Sequence, residues 1–396
     1  NSILSVESPA RGGLSMVQSK RTPSSNPFGG GNVPFLLLFL ICLFWSADPL
    51  SAASADWNFS GQVSGWGGYY KEGGGNAGLR FLPRFTFESL LPEGLEVDGE
   101  FILNLRTRTT FSSFAELEDN THGDLYRSWV RVSGERSEVR LGLQRINFGP
   151  ARLLRSLQWF DSLDPRDPLE VTEGVWAILA RQYFPNNSTL WLWGLYGNDD
   201  LKGLERFKSD EYRPEYGLRY QFPVPRGEMA FTYHNRRLDR EYARRHGLPR
   251  MTGGTENRYA LDGTFDLGAG VWFEAAASHI SIDSSDSRWT KYLTVGADYT
   301  FDIGSGLHVI GEHFIRSEEE EDFMTSALSL DYSLGILDTF TFIAFFDWQE
   351  HELSPSLSWQ RTLDDWLLNV TAFYNSSGRE TDYSGTGILI TISFNF

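Results

Sequence analysis

From residue 56 onward the chain alternates between apolar and polar positions. Across 95–109, Leu95, Val97, Phe101, Leu103 and Leu105 take turns with Glu96, Asp98, Glu100, Asn104 and Arg106. Tyr216, Leu218, Tyr220 and Phe222 interleave with Glu215, Arg219 and Gln221, and Tyr259, Leu261 and Phe265 with Arg258, Asp262 and Asp266. A period of two puts successive side chains on opposite sides of a strand, so each segment has one apolar and one polar face. Eighteen such segments can be read, near 57–70, 77–90, 95–110, 123–133, 137–147, 174–184, 188–196, 213–223, 227–235, 257–266, 270–282, 288–301, 306–316, 323–334, 338–348, 353–360, 365–375 and 386–396.

The connections carry a second rhythm. Every other one is short, as at Pro92-Glu93-Gly94, Gly134-Glu135-Arg136, Val224-Pro225-Arg226 and Gly335-Ile336-Leu337, while 148–173, 197–212 and 236–256 are long. A soluble sandwich has no reason to sort its loops this way. Spanning barrels do, with long loops at one end and tight turns at the other. Strands in lipid must also close on themselves, because an open edge leaves backbone groups unpaired. The expected fold is therefore all-β, a transmembrane antiparallel up-and-down barrel of sixteen to eighteen strands. Tyr69, Tyr70, Phe222, Tyr299, Phe301, Trp348 and Tyr374 fall near strand ends, where interfacial aromatic girdles form.

Before this pattern begins, Phe35 to Trp45 is an unbroken apolar run, shorter than the roughly 20 residues of a spanning helix. Lys20 and Arg21 precede it and Ala53-Ser54-Ala55 follows. Positive flank, short apolar stretch and small-residue exit are the parts of a secretory signal peptide. The expected division is a cleaved extension and signal over 1–55 and a barrel over 56–396.

Composition removes other classes. A mean hydropathy of −0.32 with 41% hydrophobic residues excludes a bundle of membrane helices. Aromatics at 15% and 39 glycines do not describe a disordered chain. The net charge of −17 gives nucleic acid no basic surface. Cys42 is the only cysteine and lies in the extension, so disulfides, thiolate metal sites and redox pairs are not expected, nor is any cofactor.

If Ile388, Ile390 and Ile392 face lipid, the polar faces of the early strands point Arg80, Arg84, Arg106, Arg108, Arg127, Arg131 and Arg140 into the lumen. Glu88, Glu96, Asp98, Glu100 and Glu138 share those faces nearer the periplasmic end. Guanidiniums cannot be neutralised, so such a cluster makes a fixed positive field, unless each arginine simply pairs with an acid of its neighbouring strand. The longest connection, 148–173, holds Pro150 and then Leu153, Leu154, Leu157 and Phe160 at helical spacing, which predicts a helical turn. Asp161, Asp164, Asp167 and Glu170 follow. The expectation is that this loop folds inward and sets its acids against the arginine wall. Two charged stretches, Glu318 to Asp322 and the arginines 236, 237, 240, 244, 245 and 250, are expected to be solvated loops.

The last strand alternates Ile388, Ile390, Ile392, Phe394 and Phe396 with Leu389, Thr391, Ser393 and Asn395. It resembles the terminal strand of Gram-negative outer-membrane proteins, which implies that Phe394 and Phe396 are read by the barrel-assembly machinery. The loop 148–173 is similar in position and chemistry to the third extracellular loop of porins. Arg140-Leu141-Gly142-Leu143-Gln144 leading to Gly149, with Asp164-Pro165-Arg166-Asp167, also looks like a segment of porin-type barrels without a defined substrate. The resemblance implies a water-filled diffusion channel in the outer membrane for small polar or charged solutes. It implies as partners outer-membrane lipids, lipopolysaccharide and the assembly machinery, with a homotrimer as one assembly it allows. Two other classes compete. A barrel can be a sleeve for a periplasmic electron-transfer or export partner. Outer-membrane phospholipases carry an H-x-S pair, and His279-Ile280-Ser281 has that spacing, but Ile282-Asp283 follows where Asn-Gly is required, so no enzyme is expected.

Overall fold

The computed structural model describes residues 55–71, 74–112, 116–167, 169, 172, 174–248, 251–252, 254–282, 286–319, 321–375 and 385–396. The expected leader and cleavage site lie outside the described residues, apart from Ala55. The strands are β1 (Asp56–Tyr70), β2 (Gly74–Leu90), β3 (Glu96–Ser112), β4 (Glu116–Ser133), β5 (Ser137–Gln144), β6 (Val175–Tyr183), β7 (Thr189–Leu195), β8 (Glu215–Val224) and β9 (Gly227–Arg237). They continue as β10 (Thr255–Asp266), β11 (Gly270–Ser281), β12 (Ser287–Phe301), β13 (Leu307–Glu318), β14 (Glu321–Leu334), β15 (Asp338–Asp347), β16 (Glu352–Leu363), β17 (Trp366–Asn375) and β18 (Gly385–Asn395). Among the described residues one short α-helix, α1 (Arg240–Arg245), begins at Asp239, whose carboxylate accepts from the amides of Glu241 and Tyr242.

Each strand pairs antiparallel with the next, and β1 pairs with β18 from Gln62↔Asn395 to Tyr70↔Gly387, so the eighteen-stranded sheet closes. No edge is left to meet lipid. Phe396 extends the seam: its amide and carbonyl exchange hydrogen bonds of 3.1 and 2.9 Å with Gly61. The ring of Phe396 lies beside Phe59, Phe81 and Phe394. A Cβ on Gly61 would come within 2.6 Å of that ring, so the glycine leaves room for the terminal aromatic.

Alternation decides the two surfaces. Ile388, Ile390 and Ile392 face outward, 45–50% exposed, whereas Thr391 and Ser393 point inward and are buried. The outer surface is an apolar belt that includes Phe59, Phe101, Leu192, Phe231, Leu261 and Leu293. Tyr69, Tyr299, Phe301, Trp348 and Tyr374 are exposed on the outside near strand ends. Tyr70 departs from the expected girdle. It turns inward, where its hydroxyl accepts from Asn76 Nδ2 at 2.7 Å and its ring meets Phe373.

The tight turns share the end that carries Asp56 and Phe396. The three long connections, 145–174, 196–214 and 238–254, are consecutive at the opposite end and join β5 to β10. All three are packed rather than extended. Phe148, Leu157, Trp159 and Phe160 form a core with Val175, Leu179, Trp193 and Leu195 of the inner wall. Leu153 and Leu154 pack with Trp272, Ile310, Phe314 and Ala327. Above them Phe207, Leu238, Ala243, Leu248 and Met251 close over Ile280 and Ile282. The lumen is therefore filled along one side, against β6 to β14, by apolar packing of the kind found in a soluble protein.

Candidate functional site

The loop after β5 leaves the wall at Gln144 and crosses the interior. Its predicted helical turn is absent: 145–167 runs as bends and turns. The reason is a competition for amides. A helix begun at Pro150 would leave the amides of 151 and 152 free but keep those of 153, 154 and 157 for its own carbonyls, and two wall carboxylates take them. Glu274 on β11 accepts from Ala151 N at 3.0 Å and Leu157 N at 2.9 Å. Glu312 on β13 accepts from Arg152 N at 2.7 Å, Leu153 N at 2.9 Å and Leu154 N at 2.5 Å, and also from Trp272 Nε1 at 2.9 Å. Both glutamates are buried, at 0% and 4% exposure, and a buried carboxyl group needs its hydrogen-bond partners in place. Thr294 on β12 adds a bond to Leu154 O at 2.6 Å. Residues 151–154 and 157 are thus clamped to three neighbouring strands.

Within the acidic stretch that follows, Asp161 and Asp164 do not line up as expected. Asp161 is buried in the loop's own ion cluster, 2.9 Å from Arg155 and 3.3 Å from Arg145, and does not face the wall. Desolvation explains this, since a carboxylate carried into the apolar packing of Phe160 needs cations at once. Asp164 holds Arg166 through both oxygens, at 2.7 and 3.0 Å, and Asp167 accepts from Leu169 N at 2.9 Å. Glu170 lies outside the described residues. Loop backbone bonds the arginine wall, Leu169 O accepting from Arg80 at 3.3 Å and Thr172 O from Arg127 at 2.7 Å, and the Asp167 carboxylate lies near enough to Arg80 to act on its charge.

All seven predicted arginines belong to strands whose inward faces they share, but they divide into groups. Arg80 and Arg106 are direct cross-strand partners, and Arg80 also bonds Gln62. Arg106 is exposed to the lumen and has no hydrogen-bond or ion-pair partner among the described residues. Arg108 stands one inward position beyond it, and Arg127 lies against the Tyr126 ring. Toward the periplasmic end, Arg84 pairs with Glu100 at 2.7 Å, and Arg131 with Asp98 at 2.7 Å and Glu138 at 3.2 Å. For these two the pairing alternative describes the geometry. Arg140 lies on the Trp129 ring.

Sequence reading missed the anchors Glu274 and Glu312. Their inward parity on β11 and β13 was available, but nothing in the sequence marks which amides they receive. It also placed Arg236 in a solvated loop. Arg236 is instead 1% exposed, ion-paired to Glu205 at 3.0 Å and to Glu256, and donates to Phe207 O at 2.9 Å. Parity explains the difference, because Arg236 is the last inward position of β9. Around it Lys202 bonds Glu215 at 2.9 Å and Arg258 bonds Glu205 and Glu256, which ties the loop 196–214 to the wall. Of the other arginines in that stretch, 237, 240, 244 and 245 are exposed and 250 is outside the described residues. In the acidic run, Glu318 pairs with Arg206 and Glu319 with Arg288 rather than standing free in solvent. His279 faces outward with its ring 4.5 Å from Trp289.

No protein-family model matches the sequence, and no curated protein matches it. Solved structures do. OccD3 (OpdP) of Pseudomonas aeruginosa superposes with a TM-score of 0.55 over 88% of this chain and 95% of its own, at 8% identity. An anion-selective porin from Comamonas acidovorans gives 0.49 over 87% and 100%, at 12% identity. The fold is that of an outer-membrane porin. This porin-type barrel has its apolar belt where the bacterial outer membrane requires one, and its polar positions inside. Its interior departs from an empty tube because three loops pack against one side.

Proposed function

We propose that this porin-type barrel is a narrow solute channel with a preference for small anions. The path follows the side of the lumen that the loops leave uncovered. That side joins the arginine wall of β2 to β5 to the polar inner face of β16, with Ser354, Ser358 and Gln360. The observation that carries the reading is the in-register pair Arg80 and Arg106, where a guanidinium without an acid partner among the described residues faces the uncovered lumen. Like charges set directly opposite on neighbouring strands are destabilising in themselves, so such a pair is understandable where an anion passes. Asp161 and Asp164 are held by the loop's own arginines, and Asp167 acts on Arg80, which leaves Arg106 as the cation that faces the lumen.

The remaining partners follow from the same reading. Lipids and lipopolysaccharide meet the outer belt, and Phe394 and Phe396 at the seam serve assembly. A sleeve for a periplasmic protein fits less well, because loop packing occupies the space a partner needs.

Reversal potentials in a potassium chloride gradient across a planar bilayer test the proposal. The wild type should select chloride over potassium. Arg80→Gln combined with Arg106→Gln should move the reversal potential toward cations. If it does not move, these arginines are structural.

A further inference from the structure

A second feature of the arginine wall lies well below the first. Along β3, Asp98 is eight residues from Arg106 and in register with Arg131, which is in register with Arg140 on β5. At roughly 3.3 Å per residue that is about 26 Å of strand, toward the periplasmic end. Here the cations and acids can be matched one by one. Arg84 belongs to Glu100, Arg131 to Asp98 and Glu138, and Arg181 to Glu138 at 2.8 Å. Arg140 makes no ion-pair contact with a carboxylate among the described residues, its nearest acids Glu138 and Asp98 being held by Arg131 and Arg181, and its Nε is buried without a hydrogen bond.

Its position is nonetheless built. The guanidinium lies 4.2 Å from the centre of the Trp129 ring. The indole is fixed in turn, because its Nε1 donates to Glu100 at 2.9 Å, and Glu100 is held by Arg84. Opposite Trp129 in register is Gly142, with φ at +125°, where a Cβ would come within 2.1 Å of Ser128 O, so no other side chain crowds the stack. Arg181 lies on Trp191 in the same way, at 3.9 Å, beside Glu138. A guanidinium flattened on an aromatic face keeps its edge free for in-plane, bidentate recognition of an oxyanion.

We infer that Arg140 on Trp129 is a second oxyanion station, placed to hold the carboxylate or phosphate group of a solute on its way between the arginine pair and the periplasm. It rests on the channel reading and extends it from a charge preference to a class of solute, the small oxyanion. Glu88 and Glu96, nearer the rim, would then repel the departing anion and keep occupancy brief.

The test uses the full-length barrel in planar bilayers in potassium chloride, with sodium acetate or inorganic phosphate added from the periplasmic side. Each oxyanion should produce brief blockades in the wild type. Arg140→Gln should shorten the blockade dwell time about tenfold, the equivalent of one lost charge-assisted bond. Arg140→Lys should restore only part of it, since an ammonium keeps the charge but cannot offer the fork. An effect confined to acetate assigns the station to carboxylates, and one confined to phosphate assigns it to phosphates. Equal dwell times in wild type and Arg140→Gln, with anion selectivity intact, would overturn the station and leave the channel reading standing. A wild type that passes no current would overturn both.

Discussion

Glu312 accepts three consecutive loop amides and an indole N–H with two oxygens, so its removal strands four donors in a closed space. Bonds to a buried charge contribute about 1.5–3 kcal/mol each, and unmet donors add their own desolvation cost. Glu312→Ala should therefore release the loop from the wall, seen as a severalfold rise in open-channel current noise with the barrel still folded. Glu312→Gln, which keeps one acceptor oxygen, should be intermediate. Arg236 is the comparable residue on the extracellular side. Glu205 and Glu256 keep Arg258 as a partner, so losing Arg236 costs less than the roughly 3–5 kcal/mol of a buried charge left wholly unpaired. Arg236→Met should expose the loop 196–214 to trypsin, with new cleavage after Arg206 and Lys208, whereas the wild type resists.

At the level of elements, strands were the legible part. Their period of two survives because the two sides of the wall differ in solvent, and a slip of one residue would turn every polar side chain into lipid. The segments read near 57–70 and 365–375 correspond to Asp56–Tyr70 and Trp366–Asn375. Loop 148–173 was legible as an inward-packed element, because Leu153, Leu154, Leu157 and Phe160 are too apolar to stay outside. Its conformation was not. Helical spacing describes which residues are apolar, but the amide donors were claimed by Glu274 and Glu312, more than a hundred residues away. The arginines could be assigned to a face by parity alone. Which of them keep an acid partner depends on cross-strand register, and register between distant strands is not written locally. Asp161 failed for a related reason, as its partners Arg145 and Arg155 lie on the same loop and outcompete the wall.

Over the whole molecule, the loops convert a wide closed sheet into a passage bounded by wall on one side and packed side chains on the other. Conductance should accordingly be low for an eighteen-stranded barrel. Deleting 148–167 with a short glycine-serine bridge should raise it severalfold and weaken solute discrimination, measured as single-channel current and relative permeability. An unchanged current would mean that solutes do not pass beside this loop. Deleting Phe396 should slow insertion and leave heat-unmodifiable protein on a gel, because the seam loses its two backbone bonds to Gly61 together with an aromatic stack.

The buried aromatic packing also has a bearing on the order in which the molecule is made. Phe148, Trp159 and Phe160 meet Trp193 and His234 from strands that follow them closely in the chain, while the seam joins Gln62 to Asn395. Near neighbours meet before distant ones, since closing a longer loop costs more entropy. The central strands and their loop can thus collapse around one another as an open, curved half while the two ends are still apart. Once β1 and β18 have joined, the wall surrounds the packed loop on all sides. Assembly then has a direction in time: the contents are laid in first, and the wall is sealed around them.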